Sequence, residues 1–217
     1  MAVIAIPPPE RRLPAAPLAE GDRRQLSDAL AELAEVTLGG VLQPSRLGLA
    51  DLAGLPVVGA GLSRLVVGVG GSLVAKLEAM PPELVAAGAA RLLCENSHEQ
   101  EIFLAAGPLG RRWLCPVLDF AATPYGSWLL MPRCSPVPPR FGHREPRPRR
   151  IGSISLVAEC VTVDAWFSQN RGWLEGRQVV LDYGRGVVAG VQHLEGELAR
   201  LERGDLRPAR GVPGLGL

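Results

Sequence analysis

Between Leu55 and Glu78 the chain passes through three short apolar stretches, LPVVGAG, SRLVVGV and LVAKLE, parted by glycine-bearing turns. Runs of this length, rich in β-branched residues and bounded by glycine, are strand signals. Turns this tight leave room only for antiparallel neighbours, because a parallel return needs a crossover of a dozen or more residues. An antiparallel meander is therefore predicted. Two further strands, PVLDFA and SWLLM, are joined by the turn signal TPYG. Between the third and fourth of these strands lies ELVAAGAARLLCENSHEQEIFLAAG, opened by Pro81-Pro82 and closed by Gly107-Pro108, with Leu92, Leu93, Ile102 and Phe103 on a common helical side. The expectation is an α+β fold whose five-stranded antiparallel sheet carries one helix inserted after its third strand.

The flanks divide the rest. Residues 1–50 read as a Pro-rich arm followed by an amphipathic helix on which Leu26, Ala29, Leu30, Leu33 and Val36 recur at helical spacing. Residues 51–134 form the sheet-bearing region and 135–150 a linker. In that linker Arg140, Arg144, Arg147, Arg149 and Arg150 face only Glu145 while prolines break any helix or strand. Residues 151–203 hold a short helix around Ile154 to Cys160, a hairpin WLEGRQVVLDYG and a last amphipathic helix from Val187 to Leu201, and 204–217 are a Gly/Pro tail.

Composition narrows the function classes. With 47% hydrophobic and 21% charged residues and a formal charge of +1, the chain is neither a disordered tail nor a surface built for nucleic acid. Its apolar runs, such as Leu65 to Ala75, fall short of the roughly 18 residues that span a bilayer, so no membrane partner is expected. The start, MAVIAIPPPERR, lacks the basic-then-apolar order of a secretory signal, and a cytoplasmic protein is expected. Cys94, Cys115, Cys134 and Cys160 form no CxxC pair and read as reduced thiols, and His98, His143 and His193 are isolated.

Of 23 basic residues only Lys76 is a lysine. A solvated surface cation tolerates either head group, whereas a compact ammonium set as a point charge on a phosphate does not. Lys76 lies in the strand motif Val74-Ala75-Lys76, after the glycine turn GAGLSR and before a helix rich in carboxylates. Glycines at 59 and 61 would let main-chain amides approach phosphate oxygens, with Ser63 beside them. Among the helix carboxylates Glu99 is chosen over Glu95 and Glu101, because it precedes Ile102 and Phe103 by a helical turn and shares their inward side. Farther on, Asn170 and Asp182 offer the hard oxygen donors that Mg²⁺ takes.

Taken in order, GAGLSR, VAK, a helix Glu, an Asn and Asp182-Tyr183-Gly184 resemble the protein-kinase-like superfamily, including small kinase-like proteins of phages and prokaryotes and, more distantly, aminoglycoside phosphotransferases. The resemblance covers residues 55 to 184. It implies a bilobal fold with a five-stranded antiparallel N-lobe and a truncated C-lobe, ATP and Mg²⁺ as cofactors, and phosphoryl transfer to a hydroxyl. By the same resemblance Lys76, oriented by Glu99, contacts phosphates and Gly59, Gly61 and Ser63 line them. Leu129-Leu130-Met131-Pro132 receives adenine, Asn170 and Asp182 hold the metal, and Asp164 serves as base.

Two departures qualify the pattern. In H-R-D-L-x-x-x-N the Asp stands five residues before the Asn, whereas here position 165 is Ala and Asp164 stands six before Asn170. One reading is an insertion that leaves Asp164 as the base; the other is a nucleotide-binding pseudokinase serving as an interaction module. The chain after Gly184 is also too short for the helices that complete a kinase C-lobe, which leaves a lobe completed by a protein partner as an option. A structural protein with no nucleotide is the remaining alternative. The acceptor, protein or small molecule, is open.

Overall fold

The computed structural model describes residues 18–36, 48–61, 63–80, 94–137 and 153–204, which fall into two compact units. The first comprises the described residues of 14–100 together with 117–133, and the second those of 101–116 and 134–217. The predicted opening of the inserted helix at Pro81-Pro82, Leu92 and Leu93, most of the Arg/Pro-rich linker, the N-terminal arm and the tail lie outside the described residues.

In the first unit, helix α1 (Glu20–Val36) precedes strands β1 (Asp51–Leu52), β2 (Leu55–Ala60), β3 (Leu65–Val69) and β4 (Leu73–Ala79). Helix α2 (Glu95–Ala105) begins here, and β5 (Asp119–Thr123) and β6 (Gly126–Pro132) complete the unit. The six strands form one sheet in the order β1-β2-β3-β4-β6-β5, with every pairing antiparallel. The expected five strands are β2 to β6; the sixth arises because Asp51 and Leu52 pair back on Pro56 and Leu55 through a two-residue turn. That turn puts Ala53 at φ 47 and Gly54 at φ 75, the positive-φ pair that matches a two-residue hairpin to strand twist.

α1 packs on β4 and β6. Its buried residues Leu26, Ala29, Leu30, Leu33 and Ala34 recur at three- and four-residue spacing, and they join Leu65, Val67, Leu77 and Trp128 of the sheet in one core. Each buried leucine removes enough apolar surface from water to contribute roughly 2 kcal/mol. Glu20 and Asp22 in its first turn complement the helix dipole.

The second unit holds a short helix α3 (Pro108–Arg111), strand β7 (Ser135–Pro136), helix α4 (Ser153–Cys160), the hairpin β8 (Arg171–Leu174) and β9 (Arg177–Val180), and helix α5 (Val188–Glu202). β7, β8 and β9 make a three-stranded antiparallel sheet. The predicted Glu-Gly turn is present at Glu175 and Gly176, both at positive φ. Trp113–Cys115 lies along the far edge of β9, with the Cys115 amide donating to the Val180 carbonyl and the Val180 amide to that of Trp113. α5 packs on α4 and α3. The carboxylate of Glu195 on α5 accepts from the amides of Gly110 and Leu109, supplying acceptors that the four-residue α3 cannot. No helix among the described residues is long and apolar enough to cross a membrane.

Candidate functional site

The first unit buries a polar cluster against the sheet. β4 runs between β3 and β6, with Lys76 opposite Val66 on one side and Leu129 on the other, so the residue holds an interior position of the sheet. Lys76 is 8% exposed and Glu99 is fully buried. The Lys76 Nζ donates to both Glu99 oxygens, at 2.8 and 2.9 Å. Of the three carboxylates on α2, the inward one is Glu99; Glu101 is exposed.

A second cation shares that carboxylate. Arg64, 4% exposed, donates from Nη1 to Glu99 Oε2 at 2.5 Å and lies 3.3 Å from Asn96 Oδ1, while its Nε is 3.4 Å from Glu95 Oε2. A bidentate fork reaching three acceptors on one helix face is geometry that guanidinium, not ammonium, can satisfy. Sequence reasoning passed over Arg64; the one signal for it was its place at the end of the glycine turn in a chain otherwise full of arginine.

The helix start is held from the sheet. Glu78 on β4 accepts from the main-chain amides of Glu95 and Asn96, both at 2.9 Å, and from the Cys94 thiol at 3.0 Å. It thus acts as the α2 cap and places a carboxylate at the positive end of the dipole. The Asn96 amide nitrogen reaches the Lys76 carbonyl at 3.0 Å and Ser127 of β6 at 3.1 Å. Burial, then the neighbouring Glu78 charge, pushes the Cys94 thiol above its ordinary range.

The glycine turn is tied to the same helix. Gly59 sits where the β2–β3 register shifts, opposite Val66. The Gly61 amide donates to the Arg64 carbonyl at 2.8 Å, and the Ser63 hydroxyl donates to Glu95 Oε2 at 2.9 Å. Met131, buried in β6, pairs with Val74, and the preceding Leu130 carbonyl accepts from the Leu118 amide.

In the second unit the other predicted residues lie close along the chain. Thr162 precedes a 3₁₀ turn (Val163–Trp166), its hydroxyl accepting from the Asp164 amide at 3.2 Å. Asp164 is half-buried, and its carbonyl accepts from the Asn170 side-chain amide at 3.2 Å. The Asn170 carbonyl in turn accepts from the Leu181 amide at 2.7 Å, bringing the end of the 3₁₀ loop beside the residue before Asp182. Asp182 is half-buried; Tyr183 is fully buried, its hydroxyl donating to the Cys115 carbonyl at 2.7 Å. The amide nitrogen of Asn170 is thereby spent within the loop, and its amide oxygen and the Asp182 carboxylate are each hard oxygen donors of the type Mg²⁺ takes. No cluster of three or more His, Cys, Asp or Glu side chains suited to a metal occurs among the described residues.

Compared with protein-family models, with curated proteins and with solved structures, the chain gives no significant match.

Proposed function

We propose that the protein is an ATP-binding, kinase-like phosphotransferase that moves the γ-phosphoryl group to a hydroxyl acceptor. One observation carries this reading: the chain's single lysine, in a VAK strand, is buried on the carboxylate of a glutamate in the helix that follows. A buried ion pair is a poor way to gain stability, since removing two charges from water costs as much as their attraction returns. An ammonium kept there in an arginine-rich chain is better explained by a task that needs a point charge.

In this reading Lys76, oriented by Glu99, binds the α and β phosphates, and Arg64 keeps Glu99 neutralised and in place. Asn170 and Asp182 hold Mg²⁺, which supplies charge neutralisation on the phosphates when bound. Asp164 accepts the proton of the acceptor hydroxyl as its oxygen bonds to the γ-phosphorus and the bond to the bridging oxygen breaks, releasing ADP. Positioning and charge account for the acceleration, with no covalent enzyme intermediate.

A second reading, a catalytically inactive interaction module, draws on a different observation. The Gly61 amide, the Ser63 hydroxyl and the Arg64 guanidinium are all engaged within the protein rather than held open for phosphate. The two are separated by melting the full chain with and without Mg-ATP. At nucleotide a hundredfold above its dissociation constant the expected gain is about 2.7 kcal/mol, seen as a rise in Tm that needs Mg²⁺ and is lost in Lys76→Met. No rise at millimolar Mg-ATP overturns the nucleotide reading. A rise without any transfer to candidate acceptors, unchanged by Asp164→Asn, favours the inactive module.

A further inference from the structure

Two of the four thiols meet within the second unit. Cys115 Sγ and Cys134 Sγ lie 3.7 Å apart, neither in a disulfide, and each is seated by main-chain structure. The Cys115 amide donates to the Val180 carbonyl and its own carbonyl accepts from the Tyr183 hydroxyl, so this residue is fixed from both sides. Cys134 leads directly into β7, whose Ser135 pairs with Trp173. Beneath it lies Gly172, where an added Cβ would come to 2.5 Å from the Cys134 Cβ, so only glycine lets the two chains approach this closely. Cys115 is fully buried and Cys134 half-buried, so Cys134 is the more open residue of the pair.

From this geometry we propose that Cys115 and Cys134 form a redox-active dithiol, a modification site that low-molecular-weight disulfides such as oxidised glutathione convert to an intramolecular disulfide. The sulfurs are in van der Waals contact, and closing the bond to about 2.05 Å asks for side-chain rotation at the more open Cys134. The Cys134 thiolate attacks one sulfur of the small disulfide, whose S–S bond breaks and releases one thiol. Cys115 then attacks the Cys134 sulfur of the mixed disulfide and expels the second thiol. The protein loses two electrons and two protons, and the small disulfide gains both. The other two cysteines are set apart from this chemistry by their surroundings: Cys94 is engaged by Glu78 and Ser127, and burial pushes the Cys160 thiol up to about 12, where almost no thiolate is present at neutral pH.

The proposal does not depend on the nucleotide reading. Its test treats the reduced full chain, folded, with oxidised glutathione, then alkylates free thiols under denaturing conditions and maps tryptic peptides. Cleavage after Arg133 puts the two cysteines on different peptides, so the bond appears as a cross-link. The expected result is loss of two of the four thiols, a Cys115–Cys134 cross-link, recovery of all four thiols with dithiothreitol, and the same cross-link in Cys94→Ser/Cys160→Ser. In Cys115→Ser a glutathione adduct should persist on Cys134. Four thiols surviving in the wild-type chain, a persistent wild-type adduct at Cys134, or a cross-link to Cys94 or Cys160 would overturn it. The wild-type map decides the matter even if a variant fails to fold.

Discussion

Glu99 and Asp164 are both carboxylates that the proposed chemistry needs, yet the molecule holds them by opposite means. Glu99 has no exposure and carries two cations on its oxygens, with Asn96, Glu78 and Ser127 completing a polar cluster against the sheet. Asp164 is half-buried in a 3₁₀ turn whose shape is set by neutral hydrogen bonds: its amide donates to the Thr162 hydroxyl, its carbonyl accepts from the Asn170 side-chain amide, and the Asn170 carbonyl accepts from the Leu181 amide. The second unit is otherwise framed by close main-chain approach: an added Cβ at Gly190 of α5 would run into the Cys160 carbonyl of α4. In one unit position is a matter of charge balance; in the other it is a matter of steric fit and turn geometry. The first kind is costly to disturb by removing a charge, the second by adding an atom.

That contrast predicts which substitutions hurt. Glu99→Ala leaves the buried Lys76 and Arg64 cations without their shared carboxylate, and should lower unfolding free energy by about 3–5 kcal/mol in denaturant titration. If it melts like the wild type, the cluster is not held by charge. Gly190→Ala tests the other unit by adding a single methyl, and about 3 kcal/mol of destabilisation is expected, because the opposing atom is main chain and cannot rotate away.

The next effect in size is one of pH. Burial first, then the charges of Glu159 and Glu197, moves the Cys160 thiol from an ordinary 9.0 up to about 12. Above pH 9 the unfolded chain releases this proton while the folded chain keeps it. The contribution is therefore complete below pH 9 and declines as pH rises towards 12, at up to about 1.4 kcal/mol per pH unit. Cys160→Ala should flatten that alkaline slope by the same amount, measured as denaturant midpoints across the range. An identical slope in both proteins would place the thiol's environment in doubt.

Asp164 itself should tolerate substitution with the least loss of stability. Asp164→Asn keeps the shape of the side chain and leaves the bonds to the residue's amide and carbonyl in place, so the stability change should stay near that of one hydrogen bond, about 1 kcal/mol. If Asp164 is the base, phosphoryl transfer should nonetheless fall by about 10²–10⁴-fold. A large loss of stability would mean that this carboxylate, like Glu99, is structural.

Much of the first unit was legible in the amino-acid order. Turn signals at Gly70-Gly71 and TPYG delimit strands that alternate or run apolar as a sheet against one helix requires, and α1 declares its buried stripe through Leu26, Leu30 and Leu33. The choice of Glu99 over Glu101 also followed from helical phase alone. What periodicity could not reveal was the pairing of Asp51–Leu52, too short for any pattern, or the convergence of Arg64, Glu78, Asn96 and Ser127. Their contacts join residues 16 to 35 positions apart, and no local rule reports a partner at that distance.

Amino-acid order alone specifies an α+β chain with an antiparallel meander, the location of its turns, and the identity of its lone lysine and that lysine's carboxylate. These follow from local sterics, hydrophobic period and composition, which act within a turn or two of chain. Packing settles that Glu99 serves two cations, that the hydroxyl of Ser63 goes to Glu95, and that Cys115 and Cys134 stand in contact. Those outcomes depend on how strands and helices pack, because burial forces each charge and polar group to find its partner wherever in the chain that partner lies.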